Sequence, residues 1–263
     1  MTELKHKLTN DLLFKMLFVK YPELLKRLVA VLLGIRYEDI EQFEITNPDM
    51  PPETLGDKFC KLDINMIVNG QRVDIEIQVA NKGNYPERSL FMWAREFSTA
   101  IGEGDNFAKL PRTIIISILG YNQFNDTEDF HSEFGALEVK RHTPLSDKFC
   151  LHFFELKKLP EVIEGNESKE LWLSLFRAET EEDLAKIEAL GVSVMVEMVQ
   201  AYRHVAASDE FKEKERMRSK ARHDEAQALY QIEEHWKGVV AEKDTALADK
   251  DAIIAELRAQ LKK

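Results

Sequence analysis

The chain has 263 residues, of which 44% are hydrophobic and 32% charged, the balance of a globular protein with a buried core, and this excludes a disordered or fibrous chain. It contains no apolar run of about 18 residues and begins with polar Met1-Thr2-Glu3-Leu4-Lys5-His6, so no membrane association and a cytoplasmic location are expected. The net charge of −11 is uneven: residues 1–120 carry 15 basic against 17 acidic side chains and residues 121–263 carry 21 against 30, so the front portion does not bar a phosphate backbone as substrate.

Asn10, or Thr9 before it, is placed to cap a helix in which Leu12, Leu13, Met16 and Leu17 recur at helical spacing and Asp11 and Lys15 stand four apart. Pro22 suits the first turn of a second helix that carries Leu24, Leu25, Leu28, Val29, Leu32 and Leu33, and Gly34 suits its C-terminal cap. Residues 35–56, with Asn47-Pro48 and Pro51-Pro52, are expected to be irregular apart from a short strand at 42–45.

Residues 62–79 read as a β-hairpin. Asn69-Gly70 is the dipeptide best suited to a two-residue turn with φ > 0 at both positions, and a pairing of Val68 with Gln71 sets Asn65 opposite Asp74 and Asp63 opposite Glu76. Alternation puts Leu62, Ile64, Met66, Val68, Val73, Ile75, Ile77 and Val79 on one apolar face. The other face collects Asp63, Asn65, Arg72, Asp74, Glu76 and Gln78. Two opposed carboxylates about 5 Å apart repel by roughly 3 kcal/mol at an effective dielectric near 20. A bound Mg²⁺ or Mn²⁺ offsets that repulsion; so does solvation of an exposed strand pair, or a local partner such as Arg72 or a lysine.

Beyond a loop at Asn81-Lys82-Gly83-Asn84, Pro86 opens a helix reaching about Ile101, with Leu90, Phe91, Trp93, Ala94 and Phe97 as its expected apolar surface. The aliphatic run 112–119 fits a strand buried on both faces. A helix between strands then gives an α/β architecture with a mixed sheet. Residues 131–139 and 148–156 resemble a further strand pair around Thr143-Pro144. Their histidines, His131, His142 and His152, are too irregularly spaced to suggest a metal site, and Cys60 and Cys150 have no C-x-x-C spacing, so neither a zinc site nor a disulfide scaffold is indicated and both read as reduced thiols. From Leu171 the chain is helical, and the tail from Phe211 is a long charged helix in which Val240, Leu247, Ile254 and Leu261 fall seven apart, compatible with a short coiled coil or with a solvated single helix.

Asn10-Asp11 with Phe14-Lys15 in the first helix, Leu62-Asp63-Ile64 in one strand, Ile75-Glu76-Ile77-Gln78 in the next and Arg88 opening a helix together resemble the PD-(D/E)XK nuclease family transposases, or recombination-promoting nucleases. The resemblance implies a restriction-endonuclease-like αβββαβ core, which residues 1–120 would form; the residue patterns themselves give a strand pair and helical cap extending that core over 121–205 and a charged helical tail over 206–263, a candidate for homo-oligomerisation. It implies a Mg²⁺- or Mn²⁺-dependent endonuclease acting on DNA in recombination or mobile-element movement. Asp63 and Glu76 then hold the metal with the backbone carbonyl of Ile77, and Gln78 takes the position that is lysine across the wider superfamily. The alternative is a catalytically weak scaffold that binds nucleic acid or oligomerises through its tail.

Overall fold

Asn10 Oδ1 accepts a hydrogen bond from Leu13 N at 3.0 Å and so caps the first helix, α1 (Asp11–Lys20). The protein is described here from a computed structural model covering residues 2–47, 64–81, 83–163 and 166–261. Pro22 sits in the first turn of α2 (Pro22–Leu33), and Gly34, at φ 68°, closes that helix in the left-handed conformation. Three strands follow, β1 (Phe43–Ile45), β2 (Ile64–Val68) and β3 (Gln71–Gln78), then α3 (Tyr85–Ser98) and β4 (Thr113–Leu119). The expected αβββαβ order is present, preceded by one additional helix.

The hairpin register is the one the turn dictates. Asn69 and Gly70 take φ 48° and 73°, Val68 pairs with Gln71, Asn65 with Asp74 and Ile64 with Ile75. Asp63 lies outside the described residues. β3 is the pivot of the sheet, antiparallel to β2 and parallel to β4, whose seven residues are all buried. The strands β5 (His131–Leu137) and β6 (Pro144–Glu155) complete a six-stranded mixed sheet in the order β1-β2-β3-β4-β6-β5, with β6 parallel to β4 and antiparallel to β5.

Alternation divides the sheet into two faces. Ile64, Met66, Val73, Ile75, Ile114, Ile116 and Phe154 share one core with α1, α2 and the helices α4 (Lys169–Arg177), α5 (Glu181–Ala189) and α6 (Ser193–Ala207). The later helices thus share one core with the sheet. Tyr85 and Met92 of α3 cover the other face with Ile115, Leu119, Leu151 and Phe153. The apolar surface expected on α3 is rotated from the observed one. Leu90 and Phe91 are 49% and 65% exposed, while Tyr85, Ser89 and Met92 point inward. The inward row meets a sheet face that already carries acids, so it is not the most hydrophobic stripe of the helix.

The last helix, α7, spans Asp209–Gln260. Residues up to Lys212 belong to the unit just described, and Phe211 is buried in its core with its ring edge-on to His6 at 5.0 Å. The remainder of α7, from Glu213, belongs to a second unit in which Trp236, Val240, Leu247, Ile254 and Leu257 are exposed. Among the described residues no helix is long and apolar enough to cross a membrane.

Candidate active site

Because β3 alternates, Arg72, Asp74, Glu76 and Gln78 fall on the face that α3 covers. Covering turns an expected polar surface into a buried one: Asp74 and Glu76 are each 4% exposed. Arg72 bridges sheet and helix, donating from Nη1 to Glu96 O at 2.8 Å and to Thr99 Oγ1 at 3.0 Å. A cavity of about 150 Å³, lined by Asn65, Asp74, Arg72, Glu96 and Thr113 among others, lies on this polar strip.

Glu76 pairs with Ser117 in the parallel ladder, and Tyr85 Oη lies 3.1 Å from Ser117 Oγ. Burial, with the Glu76 carboxylate nearby, pushes the Tyr85 phenol far above its ordinary range, so it stays protonated as a hydrogen-bond donor. One turn along α3, Arg88 reaches back over the strand. Its Nη2 lies 3.8 Å from Glu76 Oε2 and its Nη1 3.4 Å from Gln78 Oε1, and the Gln78 amide is held from its other end by donation to Ala80 O at 2.7 Å. Glu76, Gln78 and Arg88 thus meet at the C-terminal end of β3, and Ile77 between them turns its side chain to the helical core.

The side-chain oxygens brought together here, a carboxylate and an amide, are of the kind a hard divalent cation takes. Asp11 sits in the first turn of α1, where Oδ1 accepts from Leu12 N at 3.0 Å, and Lys15 is buried on the same helix at 2% exposure.

A second polar cluster, which spacing in the sequence did not suggest, lies at the far edge of the sheet. His131 Nε2 is 3.0 Å from His152 Nδ1, and His152 Nε2 is 3.2 Å from Cys150 Sγ. His142 stands apart from it in the connecting turn, at φ 55°.

A family model for the PD-(D/E)XK nuclease family transposases matches residues 8–231, which include α1, the hairpin, α3, β4 and most of the helical region. No curated protein and no solved structure matches the chain.

Proposed function

The chain belongs to the PD-(D/E)XK nuclease family transposases, and from that premise we propose that it is a divalent-metal-dependent DNA endonuclease associated with recombination or mobile elements. The observation that carries this reading is Glu76, a carboxylate buried on a sheet face next to the half-buried Gln78 and Arg88. A carboxylate with an amide oxygen close by is a hard-oxygen environment of the kind a divalent cation takes. By position in the family pattern, Glu76, Asp63 and the carbonyl of Ile77 are the ligands for Mg²⁺ or Mn²⁺. Such a metal, when bound, supplies Lewis acidity at the phosphoryl oxygen and lowers the pKa of a coordinated water.

The chain's own residues do the rest. Gln78 carries no charge, so it orients a water or a phosphate oxygen through its amide and does not act as a cationic group. Arg88 supplies that missing positive charge from the helix, over the same pair of side chains, and is suited to a non-bridging phosphate oxygen. Tyr85 and Ser117 fix the back of the site by their mutual hydrogen bond.

The test is incubation of the purified protein with supercoiled and linear DNA in Mg²⁺, Mn²⁺, Ca²⁺ or EDTA. Cleavage is expected in Mg²⁺ or Mn²⁺, with none in EDTA, and Glu76→Gln and Asp63→Asn abolish it while circular dichroism stays that of the wild type. Unchanged cleavage in both variants rejects the site.

A second role attaches to the tail. Val240, Leu247 and Ile254 fall seven apart and are all exposed on α7, the arrangement of a seam awaiting a partner helix. We assign homo-oligomerisation to this segment. Truncation after Lys212, which spares the buried Phe211, is expected to reduce the sedimenting mass to that of a monomer and to leave the nuclease chemistry in place.

A further inference from the structure

We propose that Glu133, Cys150 and His152 form a second metal site, separate from the Glu76 site, that takes Zn²⁺ and clips the edge strand β5 to β6. The geometry follows from the ladder. Glu133 pairs directly with His152, and Cys150, two residues before His152, points to the same face. One ligand atom from each lies within 4.8 Å of the other two. Tetrahedral zinc, with Zn–S about 2.3 Å and Zn–N or Zn–O about 2.0–2.1 Å, sets its thiolate about 3.6 Å from a neighbouring nitrogen or oxygen ligand. Cys150 Sγ is 3.2 Å from His152 Nε2 and 3.6 Å from Glu133 Oε1, so the sulfur already stands near ligand separation from both.

The surroundings complete the case. His152 turns Nε2 to the sulfur and Nδ1 to His131 Nε2, 3.0 Å away, so the tautomer that donates Nδ1–H to His131 leaves the Nε2 lone pair for the metal. A second-layer acceptor of this kind orients ligating histidines generally. Cys150 and His152 are 2% and 4% exposed, whereas Glu133 is exposed and opens an access path at the edge of the sheet. A thiolate, an imidazole and a carboxylate are a borderline-soft set that selects zinc over magnesium. On binding, the Cys150 thiol gives its proton to solvent, and the +2 ion with thiolate and carboxylate forms a neutral unit. Arg112, whose Nη2 lies 4.0 Å from Glu133 Oε1, therefore meets no net repulsion there. Three protein ligands would leave a bound zinc a fourth position for water.

Cobalt(II) is the probe, because a thiolate ligand gives it a near-ultraviolet charge-transfer band that oxygen ligands do not. The full chain, stripped with chelator, is expected to take up one Co²⁺ with that band and to release it to Zn²⁺. The band is lost in Cys150→Ser and His152→Ala, persists in Cys60→Ser and Glu76→Gln, and forms with about 10- to 100-fold weaker affinity in His131→Phe. Zn²⁺ should raise the melting temperature of the wild type and leave that of Cys150→Ser unchanged. A folded wild-type protein without the band overturns the site whatever the variants do, as does a band that survives Cys150→Ser or disappears in Cys60→Ser. DNA cleavage enters none of these readouts, so failure here and failure of the nuclease reading are separate results.

Discussion

Arg88 stands over Glu76, with Nη2 3.8 Å from Oε2, at ion-pair distance but beyond a direct hydrogen bond. At this separation the two groups attract through charge and share no direct hydrogen bond. Arg88 therefore has capacity to spare for an incoming phosphate. Replacing it by alanine is expected to lower metal-dependent cleavage roughly 10- to 100-fold, and by lysine less, as a charge without the planar fork. Cleavage kinetics on a plasmid substrate check this; an Arg88→Ala enzyme with full rate would remove Arg88 from the site.

Asn69 does more than turn the chain. Besides its φ of 48°, its Oδ1 accepts from Glu41 N at 2.9 Å and Gln42 N at 3.0 Å, and its Nδ2 donates to Asp39 O at 2.7 Å, tying the lead-in to β1 against the hairpin. Asn69→Ala loses both the tolerated backbone and three hydrogen bonds, a cost of roughly 2–3 kcal/mol. Asn69→Gly keeps the backbone and should cost less. Urea denaturation of the two variants separates the contributions.

Lys158 and Glu155 form a buried pair, 2.8 Å apart with side chains 3% and 0% exposed. Lys158 also donates to Phe124 O, and Glu155 Oε1 accepts from Gln123 N at 2.5 Å and Phe124 N at 3.2 Å. Lys158→Met strands a buried carboxylate and is expected to cost about 3–5 kcal/mol. The double variant Lys158→Met/Glu155→Gln should recover part of the loss, and a thermodynamic cycle measures how much.

Burial pushes His152 down to about 4, with Glu133 opposing and His131, Lys169 and Arg112 adding to the fall; His131 is lowered as well, mainly by its own burial. The unfolded chain protonates near pH 6.5, so the folded state is favoured above that pH and loses stability as pH drops from about 6.5 towards 4, by up to about 1.4 kcal/mol per pH unit. Denaturation across that window in a chelating buffer should show the slope, and His152→Asn should flatten it.

The hairpin was legible because two rules agree on it: Asn-Gly fixes the turn, and strict alternation fixes the faces, so register could be counted out to Ile64 and Ile75. The same reasoning carries Glu76 to the polar face, and Asp63, its expected partner, lies beyond the described residues. α3 was misread at Leu90 and Phe91 because its buried side follows from what it packs on, a sheet face bearing Asp74 and Glu76, which periodicity alone does not reveal. The Cys150–His152–His131 group was hidden by a register shift. Leu137 pairs with Pro144, but past the irregularity between Ala136 and Phe134 the ladder has slipped four residues. Counting back from the turn sets Glu133 opposite Lys148, where the protein sets it opposite His152.

Those strand ends also govern how the molecule behaves in a crowded solution. One rim of the sheet is β1, only three residues long, and the other is β5, broken by its bulge, so neither presents the flat, continuous row of free amides on which a foreign strand zips up. Among the described residues, strand addition to this sheet is therefore disfavoured at both borders.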